Sequence, residues 1–445
     1  MKIRITFLLL LVTVSLRAQH TTITLGDCIA GALQNMTQIK AAKTDLLLAG
    51  LQKDEATAGY NTKVSLAYDY RFNPIIPSQI VPIGQFSPEP TDETRAIQFG
   101  TKWQQTAGVS VLQPLLNLSV RNRINESKIN EKIKNADLAV AENDLIYEVS
   151  RSFAQLFMFS ENLNLAVNDT METARALALT RSQYSEGKML KSALNSAILN
   201  HRKALEQYES AFYDLLNEKV YMSFLSSIEM SQMLQARFDF EDFESRLQLP
   251  EELSLDASEL PNISQIAARK ELIAAQIQTE NDRSKPTLNL QGYLGANQFT
   301  NTPNPFLSNT WFGNSYVGVS LDWPILSGEK KGNKERQLEI QSKQLTLEQE
   351  DLLRNLEKDA SQSAFVLAKI RSELSRSKEN ILLLEENKQL TALRYSNAQA
   401  TASELQQTEL QLNAEKLRLN QLKSSYYAEL LDYLRRTGHL KEYLL

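Results

Sequence analysis

Gly108-Val-Ser-Val-Leu-Gln-Pro114 recurs 210 residues later as Gly318-Val-Ser-Leu-Asp-Trp-Pro324. Further along the chain, the pair Tyr184-Ser185 recurs as Tyr395-Ser396. In both halves, the pattern predicts a helix, two strands, a long helix, a turn and a second long helix. Repetition of one order of elements predicts that the chain contains two copies of a single structural unit.

Four segments at these motifs alternate apolar and polar side chains, which is typical of β-strands. They lie at 64–72, 109–111, 288–294 and 317–323. We expect strands of roughly 9–11 residues, the length with which a tilted strand crosses a membrane. Pro-containing loops at 73–105 and 300–314 would join them in pairs. A β-sandwich that buries its apolar face against a core is the alternative interpretation.

Charged and aromatic side chains favour the membrane interpretation of these strands. The polar positions carry three charged residues that suit a water-filled interior: Asp69, Arg71 and Asp322. Aromatic side chains gather near the strand ends, as in the interfacial girdles of membrane barrels. These include Trp103, Trp311 and Trp323.

Long helices are predicted wherever helix breakers are missing. Residues 115–249 and 325–445 contain no Pro, and Pro costs a helix interior about 3 kcal/mol. A helix from about 118 to 181 would be on the order of 95 Å long. Near the C-terminus, an apolar or aromatic residue recurs every seven positions from Leu405 to Tyr433, the spacing of a coiled coil.

Composition excludes several classes of function. The 445 residues carry a formal net charge of -5, which gives no electrostatic basis for binding nucleic acid. One Cys and three scattered His residues exclude a disulfide framework and a Cys/His zinc site. Neither a nucleophile elbow nor a phosphate-binding loop occurs, so we expect no enzyme activity and no cofactor.

The first 19 residues have the pattern of a secretory signal peptide. Lys2 and Arg4 precede an apolar stretch at 5–16, and Ala18 supplies a small residue near the expected cleavage site. About twelve apolar residues are too few for a membrane-spanning helix, which needs ~20. We therefore expect the mature protein to leave the cytoplasm.

Four strands per chain predict an oligomer if the strands lie in a membrane. An open sheet edge in hydrocarbon leaves backbone donors and acceptors unpaired, at several kcal/mol each. Two chains would form an eight-strand barrel filled by side chains, whereas three would form a twelve-strand barrel with space for a lumen.

Three motifs resemble the TolC-like outer-membrane efflux proteins. Residues 24–39 resemble the family's opening helix, and 181–187 and 394–398 resemble its paired turns at the periplasmic tip. The resemblance covers about 22 to 436. It implies an α+β membrane protein in which long antiparallel coiled-coil hairpins form a periplasmic tunnel and a homotrimer forms a twelve-strand outer-membrane β-barrel. It also implies a periplasmic adaptor protein and an inner-membrane pump as partners.

The same resemblance assigns roles at the tip of the helices. Glu404 and Gln407 correspond to positions that narrow the entrance, where only Glu404 keeps a charge. A closing contact would involve four residues: Tyr395, Tyr184, Ser192 and Ala193. Family members often have an Asp at the position of Ala193, so either closure by apolar and hydroxyl contacts or a less tight closure is expected instead. Adaptor docking would use the turn residues Gly187, Lys188, Met189 and Ala398.

Ordinary roles remain open for some of these residues. Glu404 can be a solvated helix carboxylate, because most charged helix residues are solvated. Tyr184 and Tyr395 can be aromatic residues that pack between helices.

The expected organisation divides the chain into nine segments. They are a signal peptide (1–19), an N-terminal helical segment (20–62), a first strand pair with an extracellular loop (63–116), a first long helical hairpin (117–238), an equatorial segment (239–262), a helix (263–286), a second strand pair (287–327), a second long hairpin (328–436) and a C-terminal tail (437–445). The function expected is a passive exit duct in the outer membrane, within a tripartite efflux or type I secretion system. A secreted periplasmic coiled-coil adaptor is the alternative.

Overall fold

The computed structural model of the chain describes residues 22–83, 88, 91–247, 253, 255–257, 259–304, 311–325, 330–397 and 399–445. Several expected features lie wholly or partly outside the described residues. They include the signal peptide at 1–19, the tip residue Ala398, the two strand-connecting loops and the equatorial segment at 239–262.

The described residues form ten α-helices and eight strands. In chain order these are β1 (Thr22–Ile23), α1 (Leu25–Asn35), α2 (Thr37–Thr57), β2 (Lys63–Phe72), β3 (Ser78–Val81), β4 (Arg95–Gln98), β5 (Trp103–Leu116), α3 (Leu118–Ser185), α4 (Lys191–Ser226), α5 (Met230–Gln235), β6 (Arg237–Phe238), α6 (Phe240–Arg246), α7 (Pro261–Asp282), β7 (Thr287–Thr300), β8 (Trp311–Asp322), α8 (Lys330–Ser396), α9 (Ala402–Thr437) and α10 (Leu440–Leu444).

These elements group into two compact units. The sheet unit contains Asp45–Asn135 and Gln265–Glu348. The helical unit contains the described residues up to Thr44, together with Ala136–Ser264 and Gln349–Leu445. The expected combination of long helices with a four-stranded sheet is confirmed.

The sheet of the sheet unit has the strand order β2-β5-β7-β8, and every neighbouring pair is antiparallel. Pairing of β5 with β7 joins the first strand pair to the second in one sheet. Both of these strands have 14 residues and exceed the expected 9–11. The extra length includes Gln104 and Gln105 of β5, which pair with Phe299 and Gln298 of β7. Polar and apolar side chains do not alternate there, so the sequence pattern does not extend the predicted strands that far.

A second, two-stranded sheet occurs within the segment expected to be a loop at 73–105. Strands β3 and β4 pair in antiparallel fashion, from Ser78 opposite Gln98 to Val81 opposite Arg95. Neither segment alternates apolar and polar residues, so the strand pattern does not reveal them.

Helices of the sheet unit pack through small apolar contacts and ion pairs. Ile129 and Ile133 of α3 are buried against Ala268 and Ala275 of α7. Small residues at these positions allow the two helix backbones to approach closely.

The helical unit has the main hydrophobic core. Phe153 of α3 is fully buried and contacts three aromatic rings, with centroid distances of 5.8 Å to Phe238, 5.6 Å to Phe240 and 5.4 Å to Phe243. The rings follow one another on β6 and α6, so this short segment is anchored to α3 by aromatic packing.

The long helices agree in length between the two halves of the chain. Helix α3 has 68 residues and α8 has 67, while α4 and α9 have 36 each. The order helix, two strands of the four-stranded sheet, long helix and shorter helix runs from α2 to α4 and again from α7 to α9, with β3 and β4 inserted between the two sheet strands of the first half. The internal repeat expected from the sequence stays a prediction with which this order agrees.

Helices α4 and α9 each end at a residue whose backbone has the left-handed conformation. Ser227 has φ 56° and ends α4, so the chain beyond it forms a short helix and a strand rather than a continuation of the hairpin. Gly438 has φ 90° and ends α9. A Cβ atom at Gly438 would lie 2.8 Å from the carbonyl oxygen of Asp256, so a side chain is excluded there.

Candidate functional site

The turn between α3 and α4 is closed by two backbone hydrogen bonds. The amide of Lys188 donates to the carbonyl oxygen of Gln183 at 2.8 Å, and the amide of Gly187 donates to that of Tyr184 at 3.0 Å. This pair of bonds is a Schellman motif, and Gly187 has the left-handed φ of 74° that the motif requires. The turn therefore favours glycine at position 187, because a residue with a Cβ atom is disfavoured in this conformation.

The turn between α8 and α9 has a counterpart of the bond between Lys188 and Gln183, in which an amide donates to the carbonyl oxygen five residues earlier. The amide of Gln399 donates to the carbonyl oxygen of Arg394 at 2.8 Å, and the Arg394 guanidinium donates back to the carbonyl oxygen of Gln399 at 3.3 Å. Thr401 then caps α9, because its hydroxyl oxygen accepts from the amide of Glu404 at 3.2 Å. The two turns that resembled each other in sequence thus share one backbone hydrogen bond, from an amide to the carbonyl five residues earlier.

The two entrance candidates lie on the first turns of α9. Glu404 and Gln407 are three positions apart and therefore lie on the same side of the helix. Both side chains are exposed in the chain. A carboxylate in the first turn of a helix is favoured by the helix dipole, so Glu404 also stabilises the start of α9.

The four candidates for a closing contact are not joined to one another within the chain. Tyr184 is exposed and Tyr395 is half-buried, and neither hydroxyl forms a hydrogen bond among the described residues. Ser192 is exposed, whereas Ala193 is half-buried. Of the docking candidates, Lys188 is exposed and forms a 2.6 Å ion pair with Glu186, while Met189 is half-buried.

A cluster of charged residues links α3, α8 and α9, and sequence reasoning missed it. Lys388 Nζ lies 2.6 Å from Glu172 Oε2, and Asn413 Nδ2 donates to Asp169 Oδ1 at 2.5 Å. Burial raises the pKa of Glu409, and the carboxylates of Glu172 and Asp169 raise it further, against the opposing effect of Lys388. Burial likewise raises the pKa of Asp169. We call these five residues the acidic cluster.

Nothing in the local sequence indicates the acidic cluster, because it brings together two segments, 169–172 and 388–413, that are more than 200 residues apart. Next to it, a cavity of about 240 Å³ lies between α3, α4 and α9. Asp169 and Asn413 line both the cavity and the cluster.

One face of the four-stranded sheet is apolar and exposed. Directly opposite residues of neighbouring strands share a face, so Leu66 lies on the same face as Val109, Leu294 and Ser315. Leu66 is 80% exposed, and Val317, which is two residues along β8 from Ser315, is 82% exposed. A water-soluble sheet would cover such side chains.

The opposite face of the sheet is polar. Asp69 and Arg71 lie on it, with Arg71 Nη2 3.5 Å from Asp69 Oδ1, and both side chains are largely exposed. Thr106 and Asn297, which continue the row that begins at Asp69, form a 2.8 Å hydrogen bond. Asp322 lies on this face too, at the opposite end of the sheet. The three charged candidates therefore share one face.

The tryptophans lie at both ends of the sheet. Trp103 begins β5 and stacks on Tyr70 with a centroid distance of 5.1 Å. Trp311 begins β8 near the same end. Trp323 follows the last residue of β8, and its indole nitrogen donates to the carbonyl oxygen of Ser284 at 3.1 Å.

A buried polar pair interrupts the apolar face and was not predicted. Gln105 and Gln298 are almost fully buried, and Gln105 Nε2 donates to Gln298 Oε1 at 2.7 Å. The Tyr68 hydroxyl donates to Gln105 Oε1 at 2.6 Å. These hydrogen bonds satisfy polar groups that would otherwise be costly on an apolar face.

Over the described ranges, no three His, Cys, Asp or Glu side chains are placed so that they could bind a metal ion together. None of the described helices contains a run both long and apolar enough to span a bilayer.

Several solved structures share this fold. VceC, an outer membrane protein of Vibrio cholerae, has a TM-score of 0.69 and 14% identity, covering 93% of this chain and 96% of that chain. The CmeC outer membrane channel of Campylobacter jejuni has a TM-score of 0.70 and 15% identity, covering 94% and 86%. CusC, described as forming a transmembrane channel, has a TM-score of 0.74 and 14% identity, covering 94% and 93%.

The chain has the fold of the outer-membrane efflux channels, and the expected TolC-like architecture is confirmed at the level of the fold. The proteins that share this fold are channels rather than enzymes. The sequence matched no protein-family model and no curated protein.

Proposed function

We propose that this chain is one subunit of a homotrimeric channel in the bacterial outer membrane, which conducts solutes passively from the periplasm to the exterior. The observation that carries the proposal is the four-stranded sheet, which has two unpaired edge strands and an exposed apolar face.

The open edges argue for assembly. Strands β2 and β8 each pair on one side only within the described sheet. In lipid, each unpaired backbone group costs several kcal/mol, so the edges must pair with those of other copies. Three copies of four strands make twelve, enough for a barrel with a lumen.

The two faces argue for lipid on one side and water on the other. Burial of a large aliphatic side chain is worth about 1.5–3 kcal/mol. Leu66, Val317, Val319 and Leu321 are each at least 60% exposed on the apolar face. Contact with lipid outside a barrel would recover this energy, and the polar face with Asp69, Arg71 and Asp322 would then line the lumen. Trp103, Trp311 and Trp323 would lie at the two membrane interfaces.

The helical tips would form the periplasmic entrance. In a trimer, the three copies of Glu404 would form a ring of carboxylates that favours cations, and Gln407 would add an uncharged ring. Contacts of Tyr184, Tyr395, Ser192 and Ala193 with a neighbouring copy would close it. The turns at Gly187–Met189 and Ala398 would dock a periplasmic adaptor, which would connect the channel to an inner-membrane pump of an efflux or type I secretion system.

The rival function is a secreted periplasmic adaptor with a helical hairpin. It explains α3, α4, α8 and α9 but leaves the apolar face of the sheet in water. Membrane extraction separates the two functions, because an adaptor is recovered in the soluble fraction and a channel only in detergent.

The test uses the full chain purified in detergent. We expect a trimer by light scattering and stepwise ion currents after insertion into a planar lipid bilayer. A monodisperse monomer contradicts the proposal, and so does an inserted trimer that stays non-conducting after Tyr184→Ala and Tyr395→Ala remove the proposed closing contacts.

A further inference from the structure

Tyr293 lies flat across two glycines in the middle of the four-stranded sheet. A Cβ atom at Gly108 would lie 2.5 Å from Tyr293 Cζ, and one at Gly295 would lie 2.5 Å from its hydroxyl oxygen. Cβ atoms do not approach other atoms this closely, so only glycine leaves room for the ring at both positions. We call Gly108 and Gly295, which are directly opposite each other on β5 and β7, the glycine seat.

The ring belongs to the polar face of the sheet. Tyr293 lies opposite Ser110, which lies opposite Ser65. Ser65 and Asp69 are four residues apart on β2 and therefore share a face. Across the next pair, Tyr316 of β8 stacks on Tyr293 with a centroid distance of 5.8 Å and an interplanar angle of 19°.

Holding the Tyr293 ring flat against the sheet costs free energy. The Tyr293 hydroxyl oxygen is buried and has no hydrogen-bond partner among the described residues, although a tyrosine directed away from the sheet would hydrate it. Glycine in a strand interior also weakens the strand. Gly108 is needed for the ring alone, whereas a Cβ atom at Gly295 would also lie 2.5 Å from the carbonyl oxygen of Ala107. A strand glycine and a buried hydroxyl thus hold one ring against the backbone.

We propose that the glycine seat determines the width of the conduit at this level, by keeping Tyr293 against the wall. The inference rests on the proposed function, since it takes the polar face as the lumen wall. Three seats at one level of a trimer hold three tyrosine rings parallel to the wall, and the clearance between them sets the largest solute that passes the middle of the barrel. Gly108, Gly295 and Tyr293 are therefore specificity-determining positions.

The test compares two glycines on the same face. Gly108→Ala places a methyl group where the ring lies and turns the ring into the lumen. Gly318→Ala is the matched control, because a Cβ atom at Gly318 meets nothing within 4 Å. We expect Gly108→Ala to lower single-channel conductance by roughly 1.5-fold or more and to exclude polyethylene glycols that enter the wild-type pore. Gly318→Ala should behave as wild type.

A double variant tests whether the ring is the obstruction. Gly108→Ala combined with Tyr293→Ala should restore conductance and the polymer size limit to the wild-type values or above them. Unchanged conductance and size limit in an assembled Gly108→Ala trimer overturn the inference, and so does a double variant that stays narrow.

If Gly108→Ala does not assemble, Tyr293→Ala alone decides. Removal of a ring from the wall should admit larger polymers, and a trimer with an unchanged size limit overturns the inference. A chain that forms no trimer in detergent overturns the proposed function itself and the inference with it, whereas a conducting trimer whose variants are unaffected leaves the proposed function intact and overturns the inference alone.

Discussion

Lys388 on α8 forms a 2.6 Å ion pair with Glu172 on α3, and this contact joins the long helix of the first half of the chain to the long helix of the second half. Lys388 also interacts with Glu409 of α9 and Asp169 of α3. The half-buried carboxylates thus share a cation, and the acidic cluster is a place where ionisation and helix packing are coupled.

Replacement of Glu409 should stabilise the protein in a pH-dependent way. Burial raises the pKa of Glu409 and of Asp169, so the folded state favours their protonated forms. Their contribution to stability is full below the ordinary carboxyl pKa, near ~4, and is lost as pH rises through the raised values. Glu409→Gln should therefore raise the melting temperature at pH 8 but have little effect at pH 4, measured by thermal unfolding in detergent.

Glu142→Gln is the matched control for that change. Glu142 forms a 3.2 Å ion pair with Lys441 and lies 27 residues before Asp169 on α3, so its replacement removes an attraction far from the acidic cluster and should not stabilise the protein at pH 8. Equal shifts of the melting temperature at pH 4 and pH 8 for Glu409→Gln would refute the role of ionisation.

Glu404→Gln should change the ion selectivity of the channel. Loss of the proposed carboxylate ring would lower the local preference for cations, so the reversal potential in a KCl gradient should move toward zero and the conductance should change. Glu186→Gln, an exposed acid at the other tip, serves as the control. An unchanged reversal potential in Glu404→Gln would favour the simpler role of a solvated carboxylate.

Gly187→Ala should destabilise the first tip turn. The left-handed φ of 74° costs a non-glycine residue roughly 1–2 kcal/mol. Gly332→Ala should act in the opposite direction, by about 0.5–1 kcal/mol, since Gly332 lies in α8 with open space around it. Hydrogen exchange at the two sites would report both effects, and a Gly187→Ala turn as protected as wild type would contradict the first.

A charge on the apolar face should block membrane insertion. Leu66→Lys places an ammonium group where lipid is proposed, at a cost of about 2–4 kcal/mol per chain. Ala67→Lys, one residue further on β2, points to the polar face and should be tolerated. The amount of trimer recovered from outer membranes measures both, and equal yields of the two variants would argue against a lipid-facing role for Leu66.

Much of this architecture was predictable because it depends on local pattern. Alternation at 64–72 assigns Leu66 and Asp69 to opposite faces in any register that keeps the strand. The absence of Pro from 115–249 allows α3 to continue for 68 residues. The glycine at 187 marks the turn, because few other residues adopt its backbone conformation.

The choice of partners was not predictable in this way. Local periodicity states which side chains share a face but not which distant strand pairs with which, so the joining of β5 to β7 and the parallel pairing of β1 with β6 emerged only in the folded chain. The acidic cluster and the glycine seat have the same origin. Lys388 and Glu172 are 216 positions apart, and Tyr293 and Gly108 are on different strand pairs.

The sequence by itself therefore determined the type of each long element and the polarity of its faces, because helix and strand periods are local properties of the backbone. Only the tertiary structure decided that Tyr293 lies flat over Gly108 and that the charge of Lys388 interacts with the carboxylate of Glu409. Close approach and burial depend on packing between segments that the chain brings together only when it folds.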